Sequence, residues 1–348
     1  MSLQRRALVV GAGKRVEGAI LPALLGFGGA IEVAGVWTRT SRKISFYDGD
    51  FTVQTETEPE AFDLASIDTV IVAVTRSQVP SVLRKLMRFD IGHVSLMLDT
   101  PVLDPKDLGT ARLFPRFRKV VCTEDSIALP PIAAVKRLID AGAVGDVRSI
   151  HLFHSGWRNH GLASLRYLTG MARPSRITVR RWNPKWSETR VRLGSVRASI
   201  VQPHIHGNGR VLVAGERGAI VDYAAGRDDA HEIGYRIEEG VYRGLTIRGE
   251  AIEDERDRLF FENLPRRGLP DPTLDNQFKI RGVMELIAGV NEEAGLAYRP
   301  WDAVYDHQCM RLAERLPAFV DVRLPGGRSL FGAGLRAASR FTRAGRKG

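Results

Sequence analysis

The feature that most constrains this chain is its beginning, Ala7-Leu8-Val9-Val10-Gly11-Ala12-Gly13-Lys14-Arg15-Val16-Glu17-Gly18. A short apolar run ends in a Gly-x-Gly turn, and a helix-like segment follows. Glycines let a chain turn tightly and let bare amides approach phosphate oxygens, and the following helix N-terminus adds partial positive charge. This is how a strand presents a backbone turn to a nucleotide pyrophosphate. A lone Gly-x-Gly is also common in ordinary loops, so the argument rests on what comes after it.

What comes after alternates. Ile31–Trp37 reads as a second strand, and Asp68–Val74 is an apolar run of the kind buried on both faces of a parallel sheet. Val79–Met87 is helical in pattern, Val94–Leu98 and Lys119–Cys122 are further strands, and Ile132–Ala141 is a helix closed by Gly142 and Gly145. Strands alternating with helices predict a doubly wound Rossmann-type parallel sheet of the α/β class. From about residue 147 the pattern changes. Segments 147–153, 177–182, 189–193, 197–201, 210–214 and 219–223 read as strands separated by Gly, Pro and polar turns, with one short helix at 162–168. Segments 276–290 and 301–316 are helical, whereas 225–275 shows no period that orders it. The expected organisation is a dinucleotide-binding domain over 1–125, an α+β domain with an open mixed or antiparallel sheet over 126–322, its C-terminal helices able to return to the first domain, and a basic tail over 323–348.

At 348 residues, 44% hydrophobic and 26% charged, the chain has ample material for two cores. No apolar run is long enough to span a bilayer, and the N-terminus does not read as a signal peptide. Cys122 and Cys309 are the only cysteines, which argues against a disulfide framework and for a reducing cytoplasm. The net charge of +11 is uneven: seven bases and no acids follow Asp321, leaving the body at about +4. The tail sets Leu330, Phe331, Leu335 and Phe341 among arginines. It is expected to be solvated, with weak contact to a membrane surface or an acidic partner as the alternative. No nucleic-acid partner is expected, because no aromatic-and-basic module accompanies the tail.

At this point the chain resembles the glucose–fructose oxidoreductase, inositol dehydrogenase and rhizopine catabolism (Gfo/Idh/MocA) family of nicotinamide enzymes. Five places carry the resemblance: Gly11-Ala12-Gly13 with Leu21-Pro22-Ala23-Leu24; Asp68–Val74; Gly92 through Asp99-Thr100-Pro101; Leu138–Val147; and His160 through Arg166-Tyr167-Leu168-Thr169-Gly170. The family pairs a dinucleotide-binding domain with an open-faced sheet domain. The departures are specific. One extra residue lies between Gly13 and the Leu-Pro-Ala-Leu run. Asp99-Thr100-Pro101 stands where the family usually has Glu-Lys-Pro, and Gly156 stands where it usually has an aspartate four residues before the catalytic histidine. Of the usual lysine, aspartate and histidine, only His160 remains.

The residues suggest a site. Thr38-Arg39-Thr40-Ser41-Arg42 follows the second strand, where an acid would accept the adenosine ribose hydroxyls; Thr38, Arg39, Ser41 and Arg42 instead suit a 2′-phosphate. NADP is therefore favoured, with NAD as the alternative. Gly11 and Gly13 form the phosphate turn, and Lys14 and Arg15 either clamp the pyrophosphate or are exposed first-turn residues. Thr75 and Arg76, after a parallel strand, are expected at the cofactor cleft. Pro101 resembles the proline that shapes the turn beside the nicotinamide. His160 is the best catalytic candidate, since imidazole exchanges a proton near neutral pH. Asp99 and Glu124, with Asp125 beside it, are candidates to support it. No metal is expected: His204-Ile205-His206 has strand spacing but lacks a third ligand.

Two function classes remain open. The first is an NAD(P)-dependent oxidoreductase acting on a hydroxyl or carbonyl of a sugar, sugar-nucleotide or cyclitol-like small molecule, as the resemblance implies, and forming a dimer or tetramer by the same analogy. The second is a dinucleotide-binding relative without dehydrogenase chemistry, with a regulatory, assembly or redox-neutral role, such as one in surface-polysaccharide synthesis.

Overall fold

The computed structural model describes residues 4–46, 51–183, 185–205, 209–264, 271–291, 298–317 and 321–324. The chain forms two compact units. One comprises Met1–Pro130, Tyr235–Thr246 and Glu250–Val304; the other comprises Pro131–Gly234, Ile247–Gly249 and Tyr305–Gly348.

The first unit is built on a seven-stranded sheet of β1 (Arg5–Val10), β2 (Ile31–Trp37), β3 (Lys43–Phe46), β4 (Phe51–Glu56), β5 (Thr69–Val72), β6 (Ser95–Asp99) and β7 (Lys119–Thr123), in the order β3-β4-β2-β1-β5-β6-β7. All neighbours pair in parallel except β3, which runs antiparallel at the edge. The middle strands are apolar because the sheet is buried on both faces: Leu8, Val9, Val70, Ile71, Leu96, Met97 and Leu98 are fully buried. The order reverses between β1 and β5. In an open parallel sheet that reversal opens a crevice beyond the carboxyl ends of the strands, where ligands bind.

The helix that leaves β1 is irregular. Val16–Ile20 form a π turn, with the Leu21 amide donating to the Val16 carbonyl, and Leu21–Leu25 continue as α1. A π turn holds one residue more than an α turn, so the extra residue before the Leu-Pro-Ala-Leu run is accommodated while Leu21, Ala23 and Leu24 stay buried. Helix α2 (Val79–Leu86) follows β5, and α3 (Pro130–Asp140) follows β7.

The second sheet has ten strands: β8 (Val147–Phe153), β9 (Pro174–Arg181), β10 (Ser187–Leu193), β11 (Val196–Gln202), β12 (Arg210–Gly215), β13 (Gly218–Val221), β14 (Ala230–Glu238), β15 (Val241–Ile247), β16 (Glu250–Ile252) and β17 (Asp321–Arg323). Their order is β16-β15-β14-β13-β12-β8-β11-β10-β9-β17, with antiparallel pairs predominating and parallel pairs at β8–β11 and β13–β14. Helix α4 (Arg158–Leu168) follows β8, and α5 (Glu255–Asn263), α6 (Leu274–Asn291) and α7 (Pro300–Arg315) complete the chain. The α/β class, the doubly wound parallel sheet and the second mixed sheet agree with the sequence expectation. The segment 225–275, which had no readable period, contains β14, β15, β16 and α5. The basic tail from 325 lies outside the described residues, and among the described residues no helix is long and apolar enough to cross a membrane.

Candidate dinucleotide site

The crevice is built from the ends of β1, β5, β6 and β7. At the end of β1 the Gly11 amide donates to the Trp37 carbonyl at 2.8 Å, and the Ala73 amide donates to the Val10 carbonyl at 2.8 Å. Gly11 has φ +111°, and a Cβ there would sit 2.3 Å from the Ala73 carbonyl oxygen. Only glycine satisfies both constraints. Gly13 is different: nothing lies within 4 Å of an added Cβ, so the tip of the turn faces open space. Its carbonyl accepts from the Val16 and Glu17 amides, which starts the helix at the tip.

The two cations of the turn go separate ways. Lys14 is exposed. Arg15 reaches across the carboxyl end of the sheet, donating from Nη1 to Asp125 Oδ2 at 2.7 Å and from Nε to Asp99 Oδ1 at 3.3 Å. Asp99 closes β6 and also accepts from the Thr123 hydroxyl at 2.8 Å. Burial pushes the Asp99 carboxyl above the usual carboxylate range, and the Arg15 guanidinium and Thr123 hydroxyl oppose that shift. Partial burial lowers the proton affinity of Arg15, but Asp125 and Asp99 outweigh this and hold it charged. Glu124 is fully buried and its carboxylate accepts from the Ser126 hydroxyl at 2.6 Å.

Residues after β2 are tied to β4. The Thr38 amide donates to the Glu56 carbonyl, the Ser41 hydroxyl to the Thr55 carbonyl at 3.0 Å, and the Arg42 amide to the Thr55 hydroxyl at 2.7 Å. The Arg42 side chain turns back to the glycine turn, where it bonds the Ala12 carbonyl and Glu17. Arg39 is exposed. After β5, Thr75 is exposed with its hydroxyl 3.4 Å from that of Ser77, and Arg76 pairs with Asp104 at 2.7 Å. The Thr100–Pro101 peptide is cis.

Thus Gly11, Gly13, Arg15, Arg42, Asp99 and Asp125 share the carboxyl end of one sheet. Glu17, Asp104 and Thr123 escaped the sequence reading. Each is an ordinary polar residue in helix, loop or strand, and only pairing reveals its partner.

His160 lies in the second unit, in the first turn of α4, half-buried; its amide donates to the Trp157 carbonyl at 2.9 Å and its carbonyl accepts from Ser164 at 3.1 Å. Gly156, just before the helix, has no room for a side chain: a Cβ would lie 2.8 Å from the Gly161 Cα and 3.1 Å from Leu152 Cδ1. The carboxylate absent at 156 is therefore excluded by backbone packing. His206 lies outside the described residues.

No protein-family model matches the sequence, and no curated protein matches it. Solved structures do match in fold. An oxidoreductase from Thermotoga maritima aligns with TM-score 0.59 and 16% identity over 92% of this chain and 98% of its own. An oxidoreductase from Agrobacterium radiobacter, in complex with NAD+, L-tartaric acid and magnesium, aligns with TM-score 0.62 and 12% identity over 92% of this chain and 98% of its own. A super-repressor mutant of Gal80p from Saccharomyces cerevisiae aligns with TM-score 0.56 and 12% identity over 89% and 95%. The chain has the fold of these proteins, which pairs a dinucleotide-type sheet with a second mixed sheet.

Proposed function

We propose that the chain is a divergent Gfo/Idh/MocA-type protein that binds a nicotinamide dinucleotide, NADP in preference to NAD, and acts as an oxidoreductase on a hydroxyl or carbonyl carbon of a sugar, sugar-nucleotide or cyclitol-like molecule. The observation that carries this reading is the β1 tip: Gly11, at positive φ and locked against Ala73 at the reversal of strand order, followed by an open Gly13 at a helix start. Bare amides and the helix N-terminus there suit a diphosphate. Arg42 beside the tip and exposed Arg39 suit a 2′-phosphate better than ribose hydroxyls.

The bound nicotinamide would supply or accept the hydride. Among the chain's own residues, His160 is assigned the proton exchanged with the substrate oxygen. Thr100 cannot provide the positive charge that stabilises an alkoxide. Arg15 is a fixed cation held at the ends of β6 and β7, and Asp99, Asp125 and Glu124 are acidic groups beside it.

A second reading is favoured by the same ion cluster. With Arg15 neutralised by Asp99 and Asp125, and no carboxylate able to fit at 156, the chain would bind dinucleotide without dehydrogenase turnover. Fluorescence titration with NADPH and NADH, followed by turnover assays on carbonyl sugars with wild type, His160→Ala and Thr100→Lys, separates the two. Turnover lost in His160→Ala supports the enzyme. Binding without turnover, unaffected by His160→Ala, supports the second reading. No binding of either dinucleotide overturns both.

A further inference from the structure

In a dinucleotide-binding sheet, a carboxylate at the end of the second strand accepts the adenosine ribose hydroxyls and repels a 2′-phosphate. Here β2 ends at Trp37, and Thr38-Arg39-Thr40-Ser41-Arg42 follows without an acid. This loop is fixed at both ends. The Thr38 amide donates to the Glu56 carbonyl at 2.8 Å. At the other end the Arg42 amide donates to the hydroxyl of buried Thr55 at 2.7 Å, and the Thr55 amide donates back to the Arg42 carbonyl at 3.0 Å. The Arg42 side chain therefore reaches out from an anchored backbone.

It reaches the glycine turn. Arg42 Nη2 donates both to the Ala12 carbonyl and to Glu17 Oε1. Glu17 approaches from the opposite side. Its amide donates to the Gly13 carbonyl at 3.1 Å, so it stands on the first turn after the tip, within the π turn Val16–Ile20. The Arg42–Glu17 pair thus joins the loop after β2 to the glycine turn, across the place where this kind of fold lays its adenosine ribose. The two side chains are 46% and 33% exposed. A pair this open adds little to stability. Its consequence lies in the charges it presents to a ligand.

Those charges ask for different ligands. A guanidinium gives a 2′-phosphate charge-assisted bonds. A carboxylate accepts from the 2′- and 3′-hydroxyls and opposes a phosphate. We infer that Glu17 sets the choice between NADP and NAD: it stands in for the acid missing after β2 and acts against Arg42 at the same ribose. This inference rests on the dinucleotide reading of the β1 tip. The preference for NADP is then a balance, with Arg42 pulling one way and Glu17 the other. The sequence hides the pair because its members lie 25 residues apart. The acid also comes from a helix, where a first-turn carboxylate reads as an ordinary solvated group.

The test titrates the full chain with NADPH and with NADH by fluorescence. The readout is the ratio of the two dissociation constants, in which any general loosening of the site cancels. Glu17→Gln is expected to move the ratio about fivefold toward NADPH. Arg42→Gln is expected to move it about tenfold toward NADH. Glu32→Gln removes the same charge at the amino end of β2, where Glu32 pairs with Arg6 at 3.1 Å, and should leave the ratio unchanged. Circular dichroism and melting temperature check that each variant folds, and Glu17→Ala stands in if Glu17→Gln does not. Three results overturn the inference while leaving the dinucleotide reading in place. One is a Glu17→Gln ratio within about twofold of wild type. Another is a gain in affinity shared equally by NADPH and NADH. The last is a shift in Glu32→Gln as large as that in Glu17→Gln. Wild type that binds neither dinucleotide overturns the dinucleotide reading, and this inference with it.

Discussion

Arg15 cannot serve two anions fully at once. Its guanidinium is bonded to Asp125 and Asp99, yet it leaves the first helical turn beside the proposed diphosphate site. A bound diphosphate and the two carboxylates would therefore compete for the same cation. Asp125→Asn tests this. A charge-assisted bond contributes about 1.5–3 kcal/mol. The Arg15 side chain is 27% exposed, so solvent screening favours the lower end. Asparagine keeps an acceptor oxygen and removes only the charge, so about 1.4 kcal/mol is released, or roughly tenfold tighter binding of NADPH. Asp99→Asn is expected to give a smaller gain, because its bond to Arg15 is 3.3 Å and Thr123 shares the same oxygen. Acid should mimic that change. Burial holds the Asp99 carboxyl above its usual range, so Asp99 loses its charge as pH falls. Affinity should then rise on acidification in wild type and lose that rise in Asp99→Asn. The assay is fluorescence titration, with the melting temperature as control. Unchanged or weaker binding in a well-folded Asp125→Asn protein refutes the competition, whether or not the chain turns over a substrate.

Four further outcomes are expected. Gly11→Ala should abolish dinucleotide binding and lower the melting temperature, because the new methyl meets the Ala73 carbonyl oxygen at 2.3 Å in a left-handed backbone; near-normal stability would refute it. Gly156→Asp, which restores the absent carboxylate, should cost about 1–3 kcal/mol in urea unfolding through overpacking against Gly161 and Leu152. Asp306→Ala strands Arg166, whose guanidinium it meets at 2.7 Å in full burial, and should destabilise by about 3–5 kcal/mol. Asp222 is buried, its Oδ1 accepting from the Val211 amide at 2.7 Å, and burial pushes its carboxyl up to about 6. The folded state thus holds this proton more tightly than the unfolded chain, so the Asp222 contribution to stability falls as pH rises from about 4 to 6 and is level above. Asp222→Asn keeps the acceptor and should stabilise by at most about 3 kcal/mol at pH 8, with little effect at pH 4; equal effects at both values would refute the burial argument.

The parallel sheet was legible because strands buried on both faces are continuous apolar runs, such as Asp68–Val74 and Val94–Leu98, and because Gly11 marks the turn between β1 and its helix. The strands β3 and β4 were not, since Lys43–Phe46 and Phe51–Glu56 mix polar residues with few apolar ones. The later strands β14 and β15 and helix α5 carry many charges, which blurs both periods. For the site, the glycine turn was readable from residue type and spacing. The destination of Arg15 was not: its partners lie 84 and 110 residues further on, and which acids meet it depends on the order of β6 and β7.

The wide turn at Val16–Ile20 explains how the N-terminal segment tolerates its additional residue. Inserted into α-helical turns, one residue would swing everything before it by about 100° relative to the apolar stripe that follows. A bulge absorbs the residue locally, so the glycine tip keeps its azimuth while Leu21 and Leu24 keep theirs. The N-terminal end of that helix can therefore change in length and charge without repacking the hydrophobic interior beneath it.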